Sequence, residues 1–148
     1  MPGVLGCSSE TGSTEGGSLA KILIVDDRES MRTALKAMFA MRPHWEICGE
    51  ADDGHEAVAK AHHLQPDVIV MDFKMPLSDG LQAATEIYRT MPSVPIVMYT
   101  LYKTSELEVA AKLAGVRCVV AKEDGVQNLL SAIEAELIVR KYQKKSKS

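Results

Sequence analysis

The sequence ILIVDD, residues 22–27, decides the fold, because four consecutive apolar residues run directly into a pair of acids. A second stretch, VIVMD at residues 68–72, repeats the pattern with one acid. Short apolar runs without alternation are typical of strands that are buried on both faces, as in a parallel sheet covered by helices. In such a sheet ligands bind outside the carboxyl ends of the strands, where Asp26, Asp27 and Asp72 stand.

Strand and helix patterns alternate along the chain. After the first strand, apolar residues from Met31 to Phe39 recur at the i, i+3, i+4, i+7 and i+8 spacing of a one-faced helix. Asp79 and Gly80 predict the start of the third helix, and Thr104 or Ser105 predicts that of the fourth. The predicted strands are 22–25, 45–49 (edge-like), 68–71, 96–99 and 116–120, and the last helix begins near residue 124.

Five βα units of this kind predict an α/β fold with a parallel sheet and five helices. Right-handed crossovers leave few topologies, and the common one for five units is the flavodoxin-like, doubly wound order 2-1-3-4-5. That order sets the first and third strands side by side, which brings Asp26 and Asp27 next to Asp72.

The two ends differ from the middle in composition. Residues 1–19 hold five Gly and six Ser or Thr, which predicts a disordered leader. Residues 20–139 form the predicted domain, and residues 140–148 are a basic tail that we interpret as a solvated helix end. No helix-turn-helix follows, so we expect a stand-alone domain that does not bind DNA directly.

Composition excludes several classes of protein. The net charge of −3 argues against binding nucleic acid through overall charge, and no apolar run approaches the ~20 residues that span a membrane. The three cysteines have no metal-ligand spacing, which favours reduced thiols in a cytoplasmic protein.

The polar residues at the strand ends indicate phosphoryl chemistry. Three converging carboxylates repel one another unless a hard divalent cation lies between them. Thr100 and Lys122, which follow the fourth and fifth apolar runs, add a hydroxyl donor and a positive charge for a phosphoryl group.

Residues 21 to about 138 resemble the receiver domain of bacterial two-component response regulators. The matching motifs are ILIVDD (22–27), VIVMDFKMPLSDG (68–80), IVMYT (96–100) and AG at 114–115 through VVAK (119–122). The resemblance implies that Asp72 is the phosphoacceptor, with Thr100 and Lys122 as catalytic and switch residues. It also implies Mg²⁺ bound by Asp27, Asp72 and the backbone carbonyl of Lys74, with Asp26 acting mostly through water.

The implied function is a phosphorelay step rather than separate enzyme catalysis. A sensor histidine kinase or phosphotransfer protein would phosphorylate Asp72, and the domain would signal by altered binding to an unknown output protein; a phosphorylation-dependent homodimer is one form this could take. The alternative is a pseudo-receiver, a binding module that works without phosphorylation. A phosphatase of the haloacid dehalogenase type needs an acid two residues after the nucleophile, where Lys74 stands.

Three positions depart from the common receiver pattern. Leu101 replaces a small residue after Thr100, in a segment that resembles the nitrate-response-type subfamily, and we expect it to shield the phosphoryl group. Val119 stands where an aromatic switch residue is usual, and Glu123 stands where Pro commonly follows Lys122. Val119 is therefore the observation that keeps the pseudo-receiver alternative open.

Overall fold

The structure, a computed structural model, describes residues 18–147, so nearly all of the predicted leader at 1–19 lies outside the described residues. No helix within residues 18–147 is long and apolar enough to cross a membrane. The strands and helices are, in chain order, β1 (Ala20–Val25), α1 (Glu29–Phe39), β2 (Trp45–Ala51), α2 (Gly54–Leu64), β3 (Val68–Met71), α3 (Gly80–Thr90), β4 (Ile96–Thr100), α4 (Ser105–Leu113), β5 (Cys118–Ala121) and α5 (Val126–Lys147).

The five strands form one parallel sheet in the order β2-β1-β3-β4-β5, which confirms the predicted flavodoxin-like fold. The predicted edge strand, β2, lies at one edge. Val25 pairs with Met71 at the ends of β1 and β3. The acids that follow these two residues are therefore neighbours at the carboxyl edge of the sheet.

Alternate residues of β1 enter two different cores, because successive side chains of a strand point to opposite faces. Leu23 and Val25 pack with α2, α3 and α4 in a cluster rich in alanine and methionine, which we call the methionine cluster. Ile22 and Ile24 pack with α1 and α5 in a cluster of Ile, Leu and Val with Phe39 and Tyr99, which we call the aliphatic cluster. Both faces of the sheet are thereby covered.

The helix starts follow the expected capping chemistry. Asp79 caps α3 in a reciprocal capping box with Gln82. Thr104, one of the two predicted residues, caps α4 by accepting from the backbone N–H of Leu107 at 3.0 Å. Asp53 caps α2 in the same way, through the backbone N–H of Glu56.

Several details differ from the sequence-based expectation. The strand β1 begins two residues earlier, at Ala20, β2 continues to Ala51, and β4 includes Thr100. The strand β5 begins at Cys118 instead of Val116, since the N–H of Val116 still closes the turn after α4 on the carbonyl of Ala111 (2.9 Å). The helix α5 begins two residues late, because a 3₁₀ turn at Lys122–Asp124 precedes it. On α1, Ala34 is exposed whereas Leu35 and Phe39 are buried.

The segment predicted as a basic tail continues α5 as far as Lys147. Arg140 fastens this part of the helix to the amino edge of the sheet. Its Nη1 donates to the carbonyl oxygen of Ser93 at 2.6 Å, and its Nε lies 3.4 Å from Oδ1 of Asp67.

Candidate functional site

Three carboxylates converge at the carboxyl edge of β1 and β3. The backbone fixes two of them, because Asp26 donates its N–H to Ala51 at 3.0 Å and Asp72 donates to Val25 at 2.9 Å. One carboxylate oxygen from each of Asp26, Asp27 and Asp72 lies within 4.8 Å of the other two. Asp26 and Asp72 are buried, at 2% and 7% exposure, whereas Asp27 is open to solvent.

Lys122 bridges the two buried acids. Its Nζ donates to Oδ2 of Asp26 at 2.8 Å and to Oδ2 of Asp72 at 3.0 Å, and its side chain is only 4% exposed. The sheet register brings it there, since Ala121, the last residue of β5, pairs with Thr100. The cation offsets part of the repulsion between carboxylates that are removed from water.

Burial and pairing act in opposite directions on the pKa values of Asp72 and Lys122. Burial raises the pKa of the Asp72 carboxyl above its ordinary value, and the nearby Asp26 adds to the effect, while Lys122 opposes it. Burial alone would lower the pKa of Lys122, but its hydrogen bonds to Asp26 and Asp72 outweigh burial and raise the pKa. Lys122 is therefore held in its charged form beside Asp72.

The backbone around Asp72 is tightly packed. Oδ1 of Asp72 accepts the N–H of Phe73 at 2.7 Å, and Phe73 in turn accepts the N–H of Gly80 at 2.7 Å. A Cβ atom at Gly80 would lie 2.3 Å from the carbonyl oxygen of Asp72, so only glycine permits this approach. The start of α3 thus holds the loop after Asp72 in place.

Residues 22–134 match the family model described as the response regulator receiver domain. This chain belongs to the response regulator receiver family. The predicted family is thereby confirmed, and receiver domains of the NarL and LuxR types are among the similar solved structures.

Individual relatives show how much of a larger protein the receiver represents. The chain is 40% identical, over 83% of its length, to a protein-glutamate methylesterase/protein-glutamine glutaminase of Methanosarcina mazei, but it covers 34% of that relative. It is 34% identical, over 76% of its length, to the response regulator protein VraR of Staphylococcus aureus and covers 54% of it. The chain therefore spans about half or less of the length of these relatives. The match to the methylesterase covers only its receiver domain and is no evidence of enzymatic activity in this chain.

A solved structure agrees with the fold. The receiver superposes with a TM-score of 0.79 on a LuxR-family two-component response regulator from Aurantimonas, with 31% sequence identity. The match covers 83% of this chain and 88% of the other.

Thr100 lies at the end of β4, one strand away from Asp72. It is fully buried, and its Oγ1 accepts the backbone N–H of Tyr102 at 3.1 Å. The ring of Tyr102 lies 5.4 Å from Nζ of Lys74, which is exposed on the loop after Asp72. These two side chains face each other at the mouth of the site, and Leu101 beside them is 49% exposed.

Val119 is partly buried against the methionine cluster and pairs with Met98 of β4. An open cavity of about 340 Å³ lies beside it, between α4 and β5. The short side chain therefore leaves space at the position where the resemblance implies an aromatic ring.

Sequence reasoning missed Arg32, which braces the acidic edge from α1. Its Nη1 donates to the carbonyl oxygen of Asp26 at 2.6 Å, and its Nε pairs with Glu50 of β2 at 2.9 Å. Glu50 also pairs with Lys36 at 2.7 Å, and hydrogen bonds from Lys36 and Arg32 lower its pKa. These contacts join residues up to 18 apart in sequence, so no local spacing signals them.

The donor set fits a hard divalent cation such as Mg²⁺. Carboxylate oxygens are the ligands that Mg²⁺ prefers, usually one or two of them with water completing the shell. Asp27 presents an exposed carboxylate, whereas both oxygens of Asp26 already accept hydrogen bonds, from Lys122 (2.8 Å) and from the N–H of Arg28 (2.9 Å). Both oxygens of Asp72 also accept hydrogen bonds, from the N–H of Phe73 (2.7 Å) and from Lys122 (3.0 Å), so Asp27 is the acid with the most accessible oxygens for direct ligation.

Proposed function

We propose that this receiver accepts a phosphoryl group on Asp72 from a sensor histidine kinase or phosphotransfer protein, and signals by a change in protein binding. The observation that carries the proposal is the position of Lys122, whose Nζ lies 3.0 Å from Asp72 and 2.8 Å from Asp26 while its side chain is almost entirely buried. A buried lysine that bridges two acids at a strand edge is costly for stability, which favours a role in chemistry.

The proposed transfer is a displacement at phosphorus. A carboxylate oxygen of Asp72 attacks the phosphorus of a phosphohistidine, a new O–P bond forms, and the P–N bond breaks. The electron pair of the broken bond stays on the imidazole nitrogen of the donor, and Asp72 becomes an acyl phosphate. The receiver contributes positioning and charge neutralisation, as is general for phosphoryl transfer.

Asp27, Asp72 and the backbone carbonyl of Lys74 would hold Mg²⁺, and Asp26 would contribute through water. When bound, the cation neutralises charge on the phosphoryl oxygens. Lys122 already has its ammonium group at Asp72 and would follow the transferred oxygens as the second positive charge.

Thr100 would couple phosphorylation of Asp72 to a conformational change in the rest of the domain. Its hydroxyl accepts a hydrogen bond from the backbone N–H of Tyr102 before transfer, and it would donate a hydrogen bond to a phosphoryl oxygen afterwards. The movement would pull on the loop 101–104 that leads into α4. With Val119 beside a cavity instead of an aromatic ring, the response would be transmitted through this loop and α4.

The direct test is phosphorylation of purified protein. We expect wild type to gain one phosphoryl group, by intact mass, from a phosphorylated histidine kinase or from phosphoramidate, and to require Mg²⁺. Asp72→Asn should gain none, since an amide is a poor nucleophile, whereas Asp124→Asn, at an exposed acid outside the site, should behave as wild type.

The same experiment separates the alternative function. A pseudo-receiver would remain unphosphorylated with every donor although it is folded, and its partner binding would not change between wild type and Asp72→Asn. Phosphorylation of Asp72→Asn at the wild-type rate would instead show that the acceptor is another residue.

A further inference from the structure

Helix α5 exposes large apolar side chains on the side that faces away from the sheet. Leu129 and Ile133 are buried in the aliphatic cluster. Successive helical residues are rotated by about 100°, which places Ile138, Val139 and Tyr142 on the opposite side. Their exposures are 57%, 43% and 68%, so three large apolar side chains stand in solvent within five residues of sequence.

Ile138 and Tyr142 belong to a regular strip along the outer side of α5. The strip has alternating steps of three and four residues, which is the seam of a two-stranded coiled coil. Its members are small or polar in the first half of the helix and large in the second half. We call it the outer strip: Asn128, Ser131, Ala135, Ile138 and Tyr142, all of them exposed.

Two residues of opposite charge lie beside the outer strip. Glu134 and Lys141 are seven residues apart, so both lie along the same border of the strip, and both are exposed. In a parallel pair of α5 helices Glu134 would lie opposite Val139 of the second copy, without an ion pair, and Tyr142 would meet Tyr142. In an antiparallel pair Glu134 would meet Lys141, and each large side chain would meet a small one.

We propose that α5 pairs in antiparallel fashion with α5 of a second copy of this chain. Ile138 packs against Ala135 of the second copy, Tyr142 packs against Ser131, and each contact occurs twice because the pair has two-fold symmetry. The Glu134–Lys141 ion pair also forms twice. A second copy is favoured over an anionic membrane surface, because the polar Asn128 lies in the strip and the acidic Glu134 lies beside it.

The anchor at Arg140 makes α5 suitable for this role. Its hydrogen bond to Ser93 (2.6 Å) holds the second half of α5 on the domain, so the outer strip is presented on a fixed helix. The first turn of α5 follows Lys122 closely, whereas its second half lies at the amino edge of the sheet. An antiparallel pair therefore places the two Asp72 sites at opposite ends, where each stays open to a phosphodonor.

Self-association is tested by sedimentation of the full chain over a concentration series. We expect Ile138→Asp to raise the dimer dissociation constant at least tenfold, while Val109→Asp, at a 63% exposed apolar residue on α4, leaves it within twofold. Asp72→Asn should dimerise as wild type does, so this result is independent of the proposed phosphorylation. A wild-type chain that stays monomeric at every concentration overturns the proposal.

A charge exchange tests the orientation. Lys141→Glu and Glu134→Lys should each weaken the dimer about threefold or more, because like charges then face each other, and the double exchange should restore wild-type affinity. Circular dichroism melts check that each variant is folded, since Glu134 also pairs with Arg42 within the chain. A double variant weaker than both single variants refutes the antiparallel pairing.

Cysteine cross-linking gives a second reading of orientation, in a background in which Cys7, Cys48 and Cys118 are serine. Mixed Ser131→Cys and Tyr142→Cys chains should form a disulfide, whereas each alone should not, because like positions would lie about 16 Å apart along the antiparallel pair. Disulfides in the single variants would show a parallel pair and overturn the proposal. Binding to phosphatidylserine vesicles that Ile138→Asp abolishes, with no self-association, would identify a membrane as the occupant instead.

Discussion

Replacing Lys122 with methionine should destabilise the domain in a pH-dependent way. The substitution keeps an unbranched apolar chain in the 4% exposed position but leaves the buried Asp26 and Asp72 without their cation. Two unit charges 4.8 Å apart, the upper limit for this acidic group, repel each other by about 3.5 kcal/mol at an effective dielectric constant of about 20. Removing one partner of a buried pair typically costs about 3–5 kcal/mol. We therefore expect a loss of about 3–4 kcal/mol in unfolding free energy at neutral pH.

The sign of the pH dependence follows from the carboxylates. Without Lys122 the pKa of Asp72, already raised by burial, should rise further in the folded state. A group whose folded pKa exceeds its unfolded value contributes stability that is fully present below the unfolded pKa and is lost as the pH rises through the folded pKa. The variant should therefore approach wild-type stability near pH 4 and fall behind it as the pH rises toward 7.

Urea unfolding of wild type and Lys122→Met between pH 4 and pH 8 measures the effect. Lys112→Met, at an exposed lysine on α4, is the matched control and should change stability by no more than about 0.5 kcal/mol. Millimolar Mg²⁺ should recover part of the loss at neutral pH, since a cation between the acids replaces the missing charge. A loss of equal size at every pH would refute the electrostatic reasoning and leave only the packing of the lysine stem.

Three further predictions concern the backbone and the cavity. Gly80→Ala should cost about 1–3 kcal/mol and slow phosphorylation of Asp72, because the new Cβ would lie 2.3 Å from the Asp72 carbonyl oxygen; wild-type phosphorylation kinetics would contradict this. Leu77→Gly should stabilise the domain by about 0.5–1 kcal/mol in urea unfolding, since Leu77 is 79% exposed and has a φ of 69°. Met41→Gly is the control, because Met41 is similarly exposed (78%) but is not one of the described non-glycine residues with a positive φ. It should give no gain in stability. Val119→Tyr should alter the unfolding free energy by less than about 1 kcal/mol, because the adjacent 340 Å³ cavity admits the ring. A loss of about 1–3 kcal/mol, which is typical of an overpacked core, would show that the ring does not fit.

The sequence predicts the strands well where apolar runs are continuous. The bounds of β3, Val68–Met71, follow from four apolar residues between Asp67 and Asp72. The start of β5 could not be predicted from Val116, which is as apolar as the strand but completes the turn after α4. Periodicity marks a helix face without fixing which small residues at its border are buried, and this explains the exposed Ala34.

The candidate site could likewise be predicted only in part from the sequence. Parallel strand order alone brings Asp26, Asp27 and Asp72 together, so their convergence could be predicted from three residues and a topology. That Lys122 contacts Asp26 as well as Asp72 depends on distances across four strands, which no local pattern contains. The brace from Arg32 likewise depends on how α1 lies against β2.

The unequal composition of the two cores gives the sheet one compliant side and one stiff side. The methionine cluster combines Met71, Met91 and Met98 with seven buried alanines, and thioether chains repack at low cost around small neighbours. The buried members of the aliphatic cluster under α1 and α5 are Ile, Leu and Val with the rings of Phe39 and Tyr99, which have few alternative rotamers. Small sliding movements of packed helices should therefore be cheaper for α2, α3 and α4 than for α5. A chemical change at Asp72 can then alter the surface formed by α2, α3 and α4, while the surface formed by α5 on the opposite side of the sheet keeps its shape.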